Sequence, residues 1–261
     1  MKKIVGTIAV LSLVLGACGN DEEKKTKPVE FGKTLNEGTH FLSLYSSKDK
    51  DIKGKDEIER LAYINDGKVT TYNVDAANLT LNKISDKSDE ELLKIAKNED
   101  KQAFKKQLER TIETNKAVVN YAYDHESNTK LEESEKKLSD VENISYSKPK
   151  THDLKLSINV ENKKADKETI ELAEKPTSYF NMNQKNYEKD LNTFMPEWFN
   201  QTIDTKEIGD EKFSGLQYQM KSKKNDTVYN KVVVKLKDNQ SKIKFDNPKK
   251  SNDLIDVYNM D

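Results

Sequence analysis

A single cysteine limits how this chain can be stabilised. Cys18 is the only cysteine among 261 residues, so no disulfide can form within the chain. The fold must therefore be held by an apolar core, yet apolar residues make up only 34% of the sequence and charged residues 35%. Much of the chain must consequently lie on solvent-exposed faces of helices and strands, or in linkers.

The residues before Cys18 have the three-part pattern of a secretory signal peptide. Lys2 and Lys3 form a basic start, residues 4–15 are apolar or small, and residues 19–23 are abruptly polar. An apolar helix of about 12 residues would be roughly 18 Å long, which is too short for the ~30 Å hydrocarbon core of a bilayer. The sequence therefore predicts a cleavable signal peptide at residues 1–17 and not a transmembrane helix.

The end of this leader, Leu15-Gly16-Ala17-Cys18, resembles the lipobox of bacterial lipoproteins. The resemblance implies cleavage before Cys18, attachment of diacylglycerol to its sulfur, and a protein held by lipid on the extracellular face of the cell membrane. Two acyl chains, at about 0.8 kcal/mol per buried methylene, anchor a protein durably where one chain is marginal. The alternatives are an uncleaved anchor helix, or an ordinary signal peptide followed by a chance cysteine.

A second resemblance concerns two short runs in the first half of the chain. The run 67–72, continuing through 84–92, resembles a hairpin-then-helix segment of uncharacterised lipoproteins from low-GC Gram-positive bacteria. Abundant lysine and asparagine with little arginine indicate a similar source. The resemblance covers a small part of the chain and implies no activity.

The charge of the chain is nearly balanced. Removing residues 1–17 takes away two of the 45 basic residues, which leaves 43 against 46 acidic residues and a net charge of −3. No basic patch is large enough to predict binding to nucleic acid.

Local patterns in the first half predict a hairpin followed by helices. Residues 60–64 and 68–74 are rich in aromatic and β-branched residues, and Asp66-Gly67 between them suits a tight turn. Ser88 and Glu91 fit a capping box that opens a helix. A second helix is predicted from about residue 100 to 122 by apolar residues that recur at helical spacing.

The second half is predicted to be mostly strand. Leucine, isoleucine and valine alternate with polar residues over 154–160, which gives one buried and one wet face. Residues 216–220 and 227–236 are predicted strands joined by a polar turn. Tyr187, Leu191 and Phe194 are spaced as on a short amphipathic helix that ends before Pro196.

These patterns together predict an α+β fold, mainly antiparallel β-sheet with a few amphipathic helices, arranged as one domain or as two small lobes. The predicted segments are a lipoprotein signal peptide (1–17), a flexible tether (18–37), an N-terminal α+β lobe (38–123), a helical or irregular connection (124–150) and a C-terminal β-rich lobe (151–261).

The sequence predicts no catalytic, cofactor-binding or metal-binding residue. The three histidines, His40, His125 and His152, lie far apart, whereas a metal site needs ligands that converge. The chain also lacks a nucleophile elbow, a glycine-rich phosphate loop and a calcium loop. We therefore expect a protein that is not an enzyme and needs no cofactor.

An aromatic patch is the candidate binding site. Its members are Tyr179, Phe180, Trp198 and Phe199, and Trp198 is the only tryptophan of the chain. Large amphipathic rings suit a groove for a peptide, a glycan or a lipid. The competing interpretation is that these rings form the core beneath a sheet that is short of other large apolar residues.

The leading hypothesis is a membrane-anchored lipoprotein whose ectodomain has a non-enzymatic binding or accessory role, with an unknown envelope protein or wall polymer as partner. One alternative is a solute-binding lipoprotein of a transporter, although such proteins usually have parallel sheets. Another is an exported hydrolase that uses paired carboxylates. A phage- or plasmid-encoded exclusion or immunity lipoprotein is neither supported nor refuted.

Overall fold

The computed structural model describes residues 26–36, 38–75, 77–173, 181–222, 225–250 and 255–259. Within these ranges the chain has an α+β fold with a mainly antiparallel sheet, so the predicted fold class is confirmed. Cys18, Tyr179 and Phe180 lie outside the described residues.

The described helices are α1 (Phe31–Leu35), α2 (Leu81–Ile84), α3 (Asp89–His125), α4 (Asn128–Glu142) and α5 (Gln184–Asp190), with a short 3-10 helix at Pro248–Lys250. The described strands are β1 (Lys27–Glu30), β2 (Thr39–Ser47), β3 (Arg60–Asn65), β4 (Lys68–Asn73), β5 (His152–Asp153), β6 (Leu156–Glu161), β7 (Lys164–Ala173), β8 (Phe194–Phe199), β9 (Gln201–Ile208), β10 (Glu211–Lys221), β11 (Thr227–Lys235), β12 (Gln240–Lys244) and β13 (Ile255–Asn259).

Two sheets and a strand pair make up the β structure. The large sheet has seven strands in the order β5-β4-β3-β2-β11-β10-β9, and the small sheet has four in the order β13-β6-β7-β8. β1 and β12 form a separate parallel pair. Because β2 pairs with β11, strands from both predicted lobes share the large sheet, while the exact lobe boundaries stay a prediction.

The large sheet separates two apolar cores. On β2, Leu42 and Leu44 belong to the core between the two sheets, whereas Phe41 and Tyr45 belong to the core under α2 and the start of α3. This alternation follows from the period of two along a strand. The alternation predicted for 154–160 is confirmed, since its apolar residues on β6 lie in the first of these cores.

The predicted hairpin is confirmed as β3 and β4. Asp66 and Gly67 both have positive φ angles, 48° and 69°, and Asn65 pairs with Lys68. A two-residue turn with positive φ at both positions matches the right-handed twist of the flanking strands.

The capping box is also confirmed, but the two predicted helices are one. Ser88 accepts a hydrogen bond from the Glu91 backbone, and the Glu91 side chain accepts one from the Ser88 backbone. The predicted break before residue 100 is wrong because residues 97–99 contain no glycine or proline, and α3 runs through them.

α4 occupies most of the predicted connection 124–150 and packs against α3. Two tyrosines near the outer end of α3, Tyr121 and Tyr123, are exposed. In the part of the chain that the structure describes, no helix combines the length and apolar character that crossing a membrane requires.

The predicted tether is wrong for residues 27–35. β1 pairs with β12, and Phe31 and Leu35 of α1 are fully buried in the core between the sheets. Phe31 and Leu35 help to dock this segment, because burying each stabilises the folded state by about 1.5–3 kcal/mol, and Val29 also packs against the same core.

The helix predicted through Phe194 is too long. α5 ends at Asp190, and Phe194 instead begins β8, where it pairs with Ala173 of β7. β8 is an edge strand of the small sheet, and an edge position tolerates Pro196 because its missing N–H has no ladder partner to lose.

Asp100 is a buried carboxylate that ties α3 to the large sheet. Its side chain accepts hydrogen bonds from the Asn73 backbone N–H and the Tyr146 hydroxyl, each at 2.8 Å. Burial raises the pKa of Asp100 to about 6, against the lowering effect of the two hydrogen bonds. The folded chain therefore holds this proton more tightly than the unfolded chain, whose aspartates have a pKa of about 3.9.

We expect Asp100→Asn to remove a pH dependence of stability. The wild-type contribution is complete below about pH 4 and is lost as the pH rises to about 6, because the folded-state pKa is raised. Asparagine keeps an acceptor oxygen and does not ionise. The free energy of unfolding of the variant, relative to wild type, should therefore rise by up to about 3 kcal/mol between pH 4 and pH 7. Denaturant titrations at each pH measure this difference, and a difference that stays constant contradicts the assignment.

Candidate functional site

A cavity of about 240 Å³ opens where the edge of the small sheet meets the large sheet. We call it the junction cavity. Its lining comes from β2, β3, β8, β10 and β11, and it includes the predicted residues Trp198 and Phe199. Strands from both halves of the sequence are therefore needed to build it.

The junction arises because the chain passes directly from one sheet to the other. Asn200 alone separates β8 of the small sheet from β9 of the large sheet, and its N–H donates to the Gln217 carbonyl of β10 at 3.1 Å. The last residues of β8 are thereby held against β10.

The two predicted aromatic residues on β8 point in different directions. Phe199 is 1% exposed and lies in the core between the sheets, whereas Trp198 is 41% exposed. The core interpretation is thus right for Phe199, and Trp198 is available at the surface. Tyr179 and Phe180, the other predicted members, fall in a part of the chain that the structure does not describe.

The indole of Trp198 is held in place from two directions. It stacks on Tyr218 of β10 with a ring-centroid distance of 4.7 Å and an interplanar angle of 29°. The Lys167 ammonium lies 4.8 Å from the centroid of the same ring, within the range of a cation–π interaction. These contacts fix the ring while leaving part of it open to solvent.

An ion pair crosses the junction. Arg60 Nη1 of β3 lies 2.6 Å from Glu197 Oε1 of β8, and the two side chains are only 18% and 26% exposed. Partial burial increases the attraction between the two charges, and removing either one would leave the other without its partner in a partly desolvated place. The pair holds β8 against the large sheet and places a guanidinium beside the cavity.

Hydrogen bonds order the other polar residues of the cavity. Glu59 accepts a bond from the Ser46 backbone at 3.2 Å, and the Ser46 hydroxyl donates to Asn230 at 2.6 Å. Burial raises the pKa of Tyr218 even though a hydrogen bond with Asn230 lowers it, so the phenol stays neutral at physiological pH. The cavity thus presents donors and acceptors in fixed positions.

The geometry offers little for acid–base or metal chemistry. None of the described residues that line the cavity is a histidine or a cysteine, and the two glutamates among them have partners within the fold. Throughout the described ranges, no group of three His, Cys, Asp or Glu side chains is arranged to hold a metal ion. The cavity can bind a ligand by hydrogen bonds and by contact with the Trp198 ring.

The three histidines lie on separate elements. His40 is buried on β2, His125 stacks on Tyr121 at the end of α3, and His152 of β5 stacks on Phe194 with 3.7 Å between the centroids. Each has a local packing role, and the fold does not unite them in one site.

Sequence reasoning missed most of the polar residues of the site, among them Arg60, Tyr218 and Asn230. These three come from β3, β10 and β11, so their convergence depends on strand order and not on spacing along the chain. One signal was available for Arg60, because it is one of only two arginines in a lysine-rich chain. Arginine suits partly buried ion pairs better than lysine does.

Comparisons with protein-family models, with curated proteins and with solved structures found no match.

Proposed function

We propose that this protein is a lipoprotein anchored by Cys18 on the extracellular face of the cell membrane, and that its folded body binds a component of the cell envelope without converting it chemically. The observation that carries the proposal is a half-exposed Trp198 fixed at the mouth of a polar cavity. The lipobox-like leader supplies the location.

The position of β1 supports a body that stays close to the membrane. The nine residue-to-residue steps from Cys18 to Lys27 could span at most roughly 30 Å even if fully extended. A lipid on Cys18 would therefore hold the folded body within a short distance of the headgroups. Binding partners should be envelope components that come this close to the membrane.

The character of the cavity supports binding without catalysis. Functional pockets usually combine an apolar or aromatic surface with a few fixed polar groups, and the junction cavity has both. Catalysis would need a nucleophile or an acid–base pair in addition. Arg60 and Glu197 are engaged with each other, and the Glu59 carboxylate is held by a backbone N–H.

Anchoring and binding can be tested separately on the same chain. Wild-type protein should incorporate labelled palmitate and fractionate with membranes, and Cys18→Ser should do neither. The mature chain carrying Cys18→Ser, immobilised on a support, should retain an envelope protein or wall polymer. Trp198→Ala should reduce that retention at least tenfold.

The matched control is Tyr258→Ala. Tyr258 is 55% exposed on β13, which is at the opposite edge of the small sheet from β8. Its loss should leave retention unchanged. If Trp198→Ala and Tyr258→Ala reduce retention equally, the junction cavity is not the binding site. If the Cys18→Ser variant still incorporates palmitate, Cys18 is not the site of lipid attachment.

A further inference from the structure

The charges around the junction cavity are balanced. Arg60 is paired with Glu197 at 2.6 Å. The lining also includes Glu59 and Lys231, and the Lys231 ammonium lies 3.8 Å from Asp56. Lys167 lies over the Trp198 ring, so three positive charges stand against three negative ones. Neither a cationic nor an anionic ligand would find an uncompensated partner here, and burying an unpaired charge is costly. The balance therefore favours a neutral ligand.

The hydrogen-bonding groups of the cavity are mixed in kind. A guanidinium can only donate and carboxylates can only accept, while the Asn230 amide and the Tyr218 hydroxyl can do both. A ligand that satisfies such a set must itself carry groups that donate and accept at several positions. Hydroxyl groups on a ring meet this requirement, whereas a hydrocarbon does not.

Little apolar surface is exposed at the cavity. Trp198 contributes the part of its indole that Tyr218 and Lys167 leave open, and Pro196 lies two residues before it on the same exposed side of β8. A ring with one apolar face and polar edges can cover this surface while its edges reach the polar groups. The indole suits such a contact because it is itself amphipathic.

The volume limits the size of the ligand. A cavity of about 240 Å³ corresponds to roughly eight waters at about 30 Å³ each, and it is smaller than the roughly 300–1,000 Å³ typical of pockets for drug-sized molecules. It has room for one substituted ring but not for several in a row. Longer molecules must therefore extend out of the cavity.

We infer that the junction cavity binds one neutral sugar residue of an envelope glycan, with the ring against Trp198 and its hydroxyl groups on the Arg60–Glu197 pair and Asn230. This inference rests on the proposed function and names its ligand class. The rest of the glycan lies outside the cavity.

Trp198 makes the test specific, because no other tryptophan contributes to the fluorescence of the chain. We expect neutral sugars (glucose, galactose and N-acetylglucosamine) to shift the emission of the mature Cys18→Ser chain to shorter wavelength, saturably, as the ring is covered. Glucosamine and glucuronate, which add a positive and a negative charge to the same kind of ring, should bind at least tenfold more weakly than the best neutral sugar.

Asn230→Asp provides a variant that retains the acceptor oxygen for Ser46, loses the amide donor to the Met220 sulfur and adds one negative charge. It should shift the preference at least fivefold toward glucosamine, whereas Tyr258→Ala should change nothing. Circular dichroism confirms that each variant is folded.

Two outcomes separate this inference from the function on which it rests. If Trp198→Ala abolishes retention of an envelope component but no neutral sugar perturbs the fluorescence, or if a peptide does so instead, the sugar assignment is overturned and the binding function stands. If no neutral sugar perturbs the fluorescence and Trp198→Ala leaves retention unchanged, the sugar assignment and the proposed binding function are both overturned.

Discussion

Gly215→Ala should prevent this protein from folding stably. Gly215 lies on β10 in the interior of the large sheet, between Val233 of β11 and Ile203 of β9. A methyl group built at Gly215 would overlap the Val232 carbonyl oxygen and come within 2.9 Å of the Val233 Cα. Both are backbone atoms, so relief requires β10 and β11 to separate. We expect a loss of more than about 3 kcal/mol, above the usual range for overpacking, measured by denaturant unfolding.

Gly38→Ala is the matched control for this substitution. Gly38 has a φ of +79°, and no atom lies within 4 Å of the position that a methyl group would take. Its cost should come from backbone strain alone, about 1–2 kcal/mol. If Gly215→Ala is no more destabilising than Gly38→Ala, that result contradicts the close approach of the β10 and β11 backbones at Gly215.

The elements that could be predicted from the sequence are those whose signals are local. Asp66-Gly67 specifies a turn by its own backbone preference, and Ser88 with Glu91 specifies a helix start within four residues. The alternation along β6 is equally local, since neighbouring residues define the two faces. Each of these predictions is confirmed by the structure.

Predictions failed where a distant partner decided the outcome. Phe194 follows Tyr187 and Leu191 at helical spacing, but pairing with β7 places it on a strand. The segment 27–35 reads as polar tether, yet it docks through β12, more than two hundred residues further along the chain. Neither partner is visible in the periodicity of the segment itself.

The candidate site was predictable in part for the same reason. The unusual concentration of aromatic residues drew attention to Trp198 and Phe199, and both line the cavity. Which of them is exposed depends on the register of β8 against β7, where Thr169 is opposite Trp198 and Glu168 is opposite Phe199. The polar half of the cavity depends on strand order in the large sheet, which the sequence does not specify locally.

The docking of the N-terminal segment depends on a buried pair of carboxyl groups. Asp246 accepts hydrogen bonds from the backbone N–H groups of Gly32 at 2.6 Å and Lys33 at 3.2 Å, at the start of α1. Glu168 of β7 is fully buried beside it, and its Oε2 accepts a bond from the Asp246 N–H. Burial raises the pKa of Glu168 well above its ordinary value, and a side-chain hydrogen bond with Asp246 raises it further. Glu168 therefore acts as a neutral donor to the Asp246 carboxylate.

We expect Asp246→Ala to destabilise the protein by about 3–5 kcal/mol. The substitution leaves the Gly32 N–H and the Glu168 proton buried without an acceptor, at about 1–3 kcal/mol each. Denaturant unfolding measures the loss. Hydrogen exchange should show that residues 27–35 lose protection first, because Asp246 accepts hydrogen bonds from two backbone N–H groups of this segment. Uniform loss of protection across the large sheet would contradict this account.

Glu168→Gln should be tolerated, and it tests the protonation state that the pair requires. Glutamine can donate to Asp246 as a protonated glutamate does and keeps an oxygen for the Asp246 N–H. Since the folded-state pKa of Glu168 is raised, the wild-type contribution is complete below the unfolded pKa of about 4.3 and is lost as the pH rises toward the folded-state value. The stability of the variant relative to wild type should therefore increase steadily above about pH 4.3, measured by unfolding at each pH. A relative stability that falls with pH would show that Glu168 is ionised in the folded chain and that the two carboxyl groups do not share a proton.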